Sequence, residues 1–230
     1  MTSLLSLIFP PYCLHCKAKV NNLNLKICQS CVNDLIFLNK DEHCPRCFAF
    51  KEVYVLCKCA EKHQEVDAVA AVFDYSGVAS SLIRNFKYNQ NISLAKSIAA
   101  WMYYQYIQLG WPPLDFIIPM PISSVRLFFR GYNQSLLIAL ELEKLLQIPV
   151  ITKIKKRNGT FSQAKLKSDQ RNRLNSNNFR CDYLPEVFNK KIMIIDDVMT
   201  TGTTVEACAE AIRRENMPEA IYALTFCKTF

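Results

Sequence analysis

Eight of the chain's eleven cysteines lie before residue 60, and their spacing leaves that stretch few ways to fold. They form four close pairs, Cys13 with Cys16, Cys28 with Cys31, Cys44 with Cys47 and Cys57 with Cys59, separated by 11, 12 and 9 residues. Each CxxC or CxC pair closes a tight knuckle whose backbone N–H groups support the sulfurs. A second pair completes a tetrahedron, so the pattern predicts two zinc ions. A disulfide framework over the same residues would require secretion. The start, Met1 to Tyr12, is apolar but lacks a basic n-region and a small-residue cleavage site, and it reads as a mature cytoplasmic N-terminus. Consecutive pairing would put Cys13, Cys16, Cys28 and Cys31 on one ion and Cys44, Cys47, Cys57 and Cys59 on the other. A cross-braced arrangement uses the same eight thiolates. With eight sulfurs present, His15 and His43 read as exposed turn residues, and Cys181, Cys208 and Cys227 as small buried hydrophobes.

Beyond residue 63 the chain changes character. Of 230 residues 50% are apolar and 21% charged, enough for a packed core, and no apolar run approaches the ~20 residues that cross a bilayer. Strands are expected at Val66–Tyr75, Asp115–Pro119, Val150–Ile154, Lys191–Ile195 and Ala220–Cys227, with helices at Val78–Tyr88, Ile92–Leu109, Gly131–Gln147 and Thr203–Arg214. This alternation predicts an α/β domain on a mostly parallel sheet over 64–230, preceded by a cysteine-rich module over 1–63. No internal repeat longer than the cysteine pairs is visible.

Charge is equally uneven. Residues 153–191 hold 11 basic and 3 acidic side chains, a net +8 that equals the formal charge of the whole chain. The stretch reads as a mobile basic loop, suited to a phosphorylated ligand or a nucleic-acid backbone, or else as a solvated surface.

The motif that decides the chemistry is Ile194 to Val205, I-I-D-D-V-M-T-T-G-T-T-V. A buried strand delivers Asp196 and Asp197 at its carboxyl end, where open α/β sheets bind ligands. Thr200, Thr201, Gly202, Thr203 and Thr204 then open a helix, so N–H and O–H donors converge on one point. The combination suits a monophosphate, with acceptors one ribose length away for sugar hydroxyls. No lysine follows the glycine and no GxGxxG is present, so this is not a Walker loop.

That segment resembles the phosphoribosyl-diphosphate (PRPP) signature of type I phosphoribosyltransferases. Together with the cysteine-rich start it resembles the ComF/GntX family of bacteria, over nearly the whole chain. Pro119-Met-Pro121, Arg126, Arg130-Gly-Tyr-Asn-Gln134, Arg157 with Gln163, Arg171 to Phe179, and Lys87 are further family-like positions. The resemblance implies a double zinc-ribbon-like module fused to a type I phosphoribosyltransferase-like parallel sheet with helices on both faces. It implies that Asp196 and Asp197 hold ribose hydroxyls, that Thr200 through Thr204 hold the 5′-phosphate, and that Mg²⁺ accompanies PRPP. Lys87, Arg126 and Arg130 become candidates for diphosphate charge, and Arg157 and Gln163 for the closing loop.

Two functions follow. One is a competence factor of natural transformation that handles incoming single-stranded DNA, with PRPP or another phosphorylated ribose as a second ligand. The competence helicase and the recombination loader would be its partners, in the cytoplasm or at the periphery of the inner membrane. The alternative is an active Mg-dependent phosphoribosyltransferase, for which the residues name no acceptor. Aromatics beside basic residues, Phe128, Phe129, Arg130 and Tyr132, favour the first through stacking on unpaired bases. Trp101, Tyr103, Tyr104 and Tyr106 would serve likewise, or else as core packing.

Overall fold

A computed structural model describes residues 12–20, 26–51, 57, 59, 64–157 and 178–230. Its centre is a sheet of four parallel strands in the order β1 (Ala68–Asp74), β6 (Ala220–Lys228), β5 (Lys191–Met199), β2 (Phe116–Pro119). These strands are near-continuous apolar runs because helices cover both faces, and Ile192 through Ile195 are fully buried. Between β1 and β2 come α2 (Gly77–Tyr88) and α3 (Leu94–Leu109). After β2 come α4 (Ser124–Arg130) and α5 (Gln134–Leu146), and α6 (Thr203–Asn216) joins β5 to β6. α3 and α5 pack against each other and against the sheet.

Two expectations change. Val150–Ile154 is not a strand: Val150 makes a single bridge to Ile117. Ile117 N donates to Pro149 O and Ile151 N to Ile117 O, but the next donor on β2 would be residue 119, and Pro119 has no N–H. Ile151 and Ile154 are still buried, without a ladder. Lys155–Lys156 and Phe179–Arg180 pair instead as a short antiparallel ribbon, β3 and β4. The second change is that β5 runs four residues past Ile195 to Met199. Because β2 ends opposite Ile195, Asp196 and Asp197 have no neighbour on that strand and border a cavity instead.

The cysteine-rich stretch packs against the sheet's open edge. Leu38 N donates to Val72 O and Val69 N to Arg46 O, so the outer side of β1 is capped where an unpaired strand would invite association. Gln105, buried on α3, donates to both Leu38 O and Ala71 O across the seam. Within the module a repeat appears that the residue types had concealed. Tyr12 bridges Lys19 and His43 bridges Phe50, at a constant offset of 31 residues, and each turn reverses at a left-handed residue, Lys17 or Phe48. The short helix α1 (Gln29–Asn33) carries Cys31. His43 corrects the reading of an exposed turn residue: it is buried, stacked 4.6 Å from Phe48, with Nδ1 2.7 Å from Asn39 O. His15 is exposed, and Cys181, Cys208 and Cys227 are buried as expected.

Candidate functional site

The eight N-terminal sulfurs gather into two tetrads, Cys13, Cys16, Cys28, Cys31 and Cys44, Cys47, Cys57, Cys59, each with all ligand atoms within 4.8 Å of one another. This is the consecutive arrangement, not the cross-braced one. Tetrahedral zinc with Zn–S bonds of ~2.3 Å sets sulfurs about 3.8 Å apart. The separations of 3.6 Å for Cys16–Cys28 and Cys44–Cys59 fit that geometry, so each tetrad can hold a zinc ion. Burial raises the Cys13 thiol, but backbone N–H donors from Cys28, Cys16 and His15 outweigh it and bring the pKa to about 6. Cys44 is held at about 7 by the same contest, with Cys47 and Arg46 as donors. In each tetrad one thiol is thus lowered by backbone donors, while burial and the neighbouring sulfurs push Cys31, Cys47 and Cys59 up.

The second site is a cavity of about 170 Å³ at the carboxyl end of β5. Asp196 Oδ1 accepts from Ser135 Oγ at 2.9 Å and from the Asp197 backbone N at 2.8 Å. Asp197 is buried and ion-paired with Lys87, Nζ to Oδ1 2.9 Å. Burial first, then the charge of Asp197, push Asp196 up to about 7, against the hydrogen bonds and Lys87. Facing the carboxylates are Arg126, Arg130 and Lys156. Lys156 is pulled down by burial and by Arg126.

Local sequence explains these placements. Asn133 caps α5 by accepting from Ser135 N and Leu136 N, and its Nδ2 donates to Met120 O, which ties the loop after β2 to the helix. Gly202 sits at φ 78°, a conformation suited to glycine, and lets the chain turn from β5 into α6. Thr201 Oγ1 lies 2.8 Å from Thr203 Oγ1.

The expected residues therefore converge in part. Asp196, Asp197, Thr204, Lys87, Arg126 and Arg130 line the cavity; Thr200, Thr201, Gly202 and Thr203 form the adjoining loop. Lys87 is engaged by Asp197 and is not a free cation. Arg157 does not line the cavity. Its neighbour Lys156 does, because side chains alternate along β3. Gln163, with residues 158–177 of the basic stretch, lies outside the described residues. Ser135 and Lys156 are lining residues that sequence reasoning did not assign to the site, and Gln134, named there only as part of a family-like segment, lines it as well. No pattern in the sequence brings the start of α5 or β3 to β5; only the fold does.

The aromatic expectations separate cleanly. Trp101 packs on Phe73 and Phe226, Tyr104 on Phe37 and Tyr106 on Trp111, so that set is structural. Tyr132 packs on Phe86 and donates its hydroxyl to Phe86 O. Phe128 and Phe129 remain, 84% and 81% exposed on α4, a helix with no buried residue that sequence periodicity did not reveal. A hollow lined by Lys87, Tyr88, Gln90, Arg126, Phe129 and Arg130 joins this ridge to the cavity.

Residues 127–229 match the Phosphoribosyl transferase domain family. The chain is 26% identical over 217 residues to Competence protein F of Haemophilus influenzae, covering 90% of this chain and 93% of the relative. It is also 23% identical over 221 residues to Competence protein ComFC of Bacillus subtilis, covering 89% and 85%. It is similar, too, to DNA utilization protein YhgH of Escherichia coli, 28% identical over 193 residues, covering 81% and 84%. The likeness to the two competence proteins spans nearly the whole chain, whereas the phosphoribosyl transferase match is confined to 127–229. Among the described residues, no helix is long and apolar enough to cross a membrane.

Proposed function

We propose that this chain belongs to the ComF family and handles incoming single-stranded DNA in a competence role, through a PRPP-binding domain over 64–230 and a module over 1–63 stapled by two zinc ions. The observation that carries the reading is a cleft in which two carboxylates face Arg126, Arg130 and Lys156, with exposed Phe129 lining the adjoining hollow and exposed Phe128 beside it in sequence. The printed names of the relatives, two competence proteins and a DNA utilization protein, support the biological setting. In this reading Asp196 and Asp197 accept from ribose hydroxyls, and Thr200 through Thr204 donate to the 5′-phosphate. Arg126 and Lys156 meet the diphosphate, while Arg157 and Gln163 belong to the closing loop. Two adjacent carboxylates offer the oxygen ligands that a hard cation takes, and Mg²⁺ bound with PRPP would neutralise diphosphate charge. The single strand runs along the basic face with bases stacked on the phenylalanines. The competence helicase and recombination loader are the partners in this reading, in the cytoplasm or at the inner face of the membrane.

Calorimetry of the purified chain with PRPP plus Mg²⁺, and separately with a short single-stranded oligonucleotide, tests both halves. Binding of both is expected. Failure of the oligonucleotide at low salt overturns DNA handling and leaves an active phosphoribosyltransferase of unknown acceptor as the better reading. One observation favours that second reading: Asp196 titrates near pH 7, where a carboxyl can exchange protons under neutral conditions.

A further inference from the structure

Among the described residues that line the cleft, Gln134 alone has a buried side-chain atom without a hydrogen-bond partner. Gln134 opens α5, is 2% exposed and lines the cavity with Arg126, Lys156 and Asp196. Its Oε1 accepts from Arg130 Nη1 at 3.1 Å. A guanidinium can only donate, so this bond fixes which end of the amide faces Arg130 and turns the NH₂ group the other way. Arg130 is itself seated over the Tyr88 ring, 5.6 Å from its centroid. Gln134 Nε2 has no hydrogen-bond partner. The nearby Tyr132 hydroxyl does not supply one. Burial raises its pKa and the Gln134 amide and Arg130 oppose the rise, yet the two groups fall short of hydrogen-bonding geometry. The hydroxyl proton goes to Phe86 O.

A buried amide donor without an acceptor is costly unless something arrives to accept from it. What arrives must be an oxygen acceptor, and Lys156 and Arg126 beside it select a negatively charged one. We propose that Gln134 Nε2 donates to an anionic phosphoryl oxygen of the ligand, and that Arg130 is a positioning residue that keeps the amide from turning over. The proposal deepens the phosphorylated-ribose reading and assigns this donor to the diphosphate side of the cleft, away from the threonine loop. It also moves Arg130 from a direct diphosphate contact to a support for one.

The experiment is calorimetry of the full chain with two probes, inorganic pyrophosphate plus Mg²⁺ and ribose 5-phosphate. Gln134→Glu places a carboxylate where the donor stood and is expected to weaken pyrophosphate binding at least tenfold; Gln134→Met is expected to weaken it three- to tenfold. Both variants should bind ribose 5-phosphate as the wild type does. Arg130→Met should match Gln134→Met, the double variant should lose no more than either alone, and Arg130→Lys, which can still donate to Oε1, should recover most of the affinity. Saturating pyrophosphate should also shift the Gln134 side-chain NH₂ resonances of the wild-type protein, a readout that survives if a variant fails to fold. Undiminished pyrophosphate affinity in folded Gln134→Glu, unmoved NH₂ resonances at saturation, or no pyrophosphate binding by the wild type would each overturn the proposal. Failure of ribose 5-phosphate alone would overturn the ribose reading of the cleft and leave the Gln134 assignment to the pyrophosphate arm.

Discussion

Lys87 Nζ lies 2.9 Å from Asp197 Oδ1, and this ion pair makes two neighbouring carboxylates unequal. Asp197 has a cation of its own, delivered by α2 from outside the matched segment 127–229. Asp196 accepts hydrogen bonds from the Ser135 hydroxyl and the Asp197 N–H, and burial with the Asp197 charge holds it at about 7. Lys87 lowers Asp196 from a distance, so Lys87→Met should raise the pH at which Asp196 ionises. Calorimetry with PRPP plus Mg²⁺ at pH 6, 7 and 8 should then show the binding transition displaced to higher pH. An unchanged profile would mean that the lysine serves packing alone.

The raised pKa of Asp196 also has a sign for stability. Unfolded, the group titrates near 3.9, so between about 4 and about 7 the native state holds a proton that the unfolded state has lost. Its contribution to stability is therefore full below about 4 and falls as pH rises to about 7. Asp196→Asn should remove that fall. Thermal melts at pH 5 and pH 8 should show a smaller drop in the variant than in the wild type, and an equal drop would place the titration elsewhere.

Replacing Asp196 and Asp197 together by Asn should leave the sheet folded, since Asn is close to Asp in shape and the pairing of Asp196 with Thr225 is made by the backbone. Binding of PRPP plus Mg²⁺ should weaken at least tenfold. Wild-type affinity in a folded double variant would remove the acids from the ribose site.

How much of this was legible depended on whether the information was local. The cysteine pairs and the run from Ile194 to Thr204 encode their chemistry in consecutive residues, and both sit where expected. Lys156 was hidden because its relevance comes from a two-residue ribbon that places it, and not Arg157, on the cavity. Ser135 was hidden because nothing in the first turn of a helix announces a carboxylate 61 residues away. The missing strand at Val150–Ile154 has a signal that could have been read: Pro119, which ends the donor row on β2. The helix α4 escaped because its apolar residues face solvent, so the periodicity that reports a buried face is absent.

Each tetrad should carry one zinc ion, two per chain by elemental analysis. Because Leu38 and Arg46 cap the outer edge of β1, stripping the metal should do more than loosen the module. Hydrogen exchange after chelation should show the Leu38 and Val69 amides losing protection while those of β5 and β6 keep theirs. Light scattering should show association through the uncovered strand. Protein that binds no zinc, or keeps these two amides protected without it, would contradict the arrangement.

The last prediction separates charge from stacking on the single strand. If the basic face holds the backbone, affinity for an oligonucleotide should fall steeply with salt, each neutralised phosphate adding about −0.7 to the log–log slope. Four contacts give a slope near −3, roughly a sixtyfold loss between 50 and 200 mM salt. Lys155→Ala, Lys156→Ala and Arg157→Ala together should flatten that slope. Phe128→Ala with Phe129→Ala should act differently, because base–aromatic stacking of about 1–3 kcal/mol per base carries no counterion release. Affinity should drop at least fivefold at every salt concentration with the slope unchanged. Fluorescence anisotropy over a salt series reads both quantities, and a phenylalanine variant that changes the slope but not the low-salt affinity would reverse the assignment of ridge and loop.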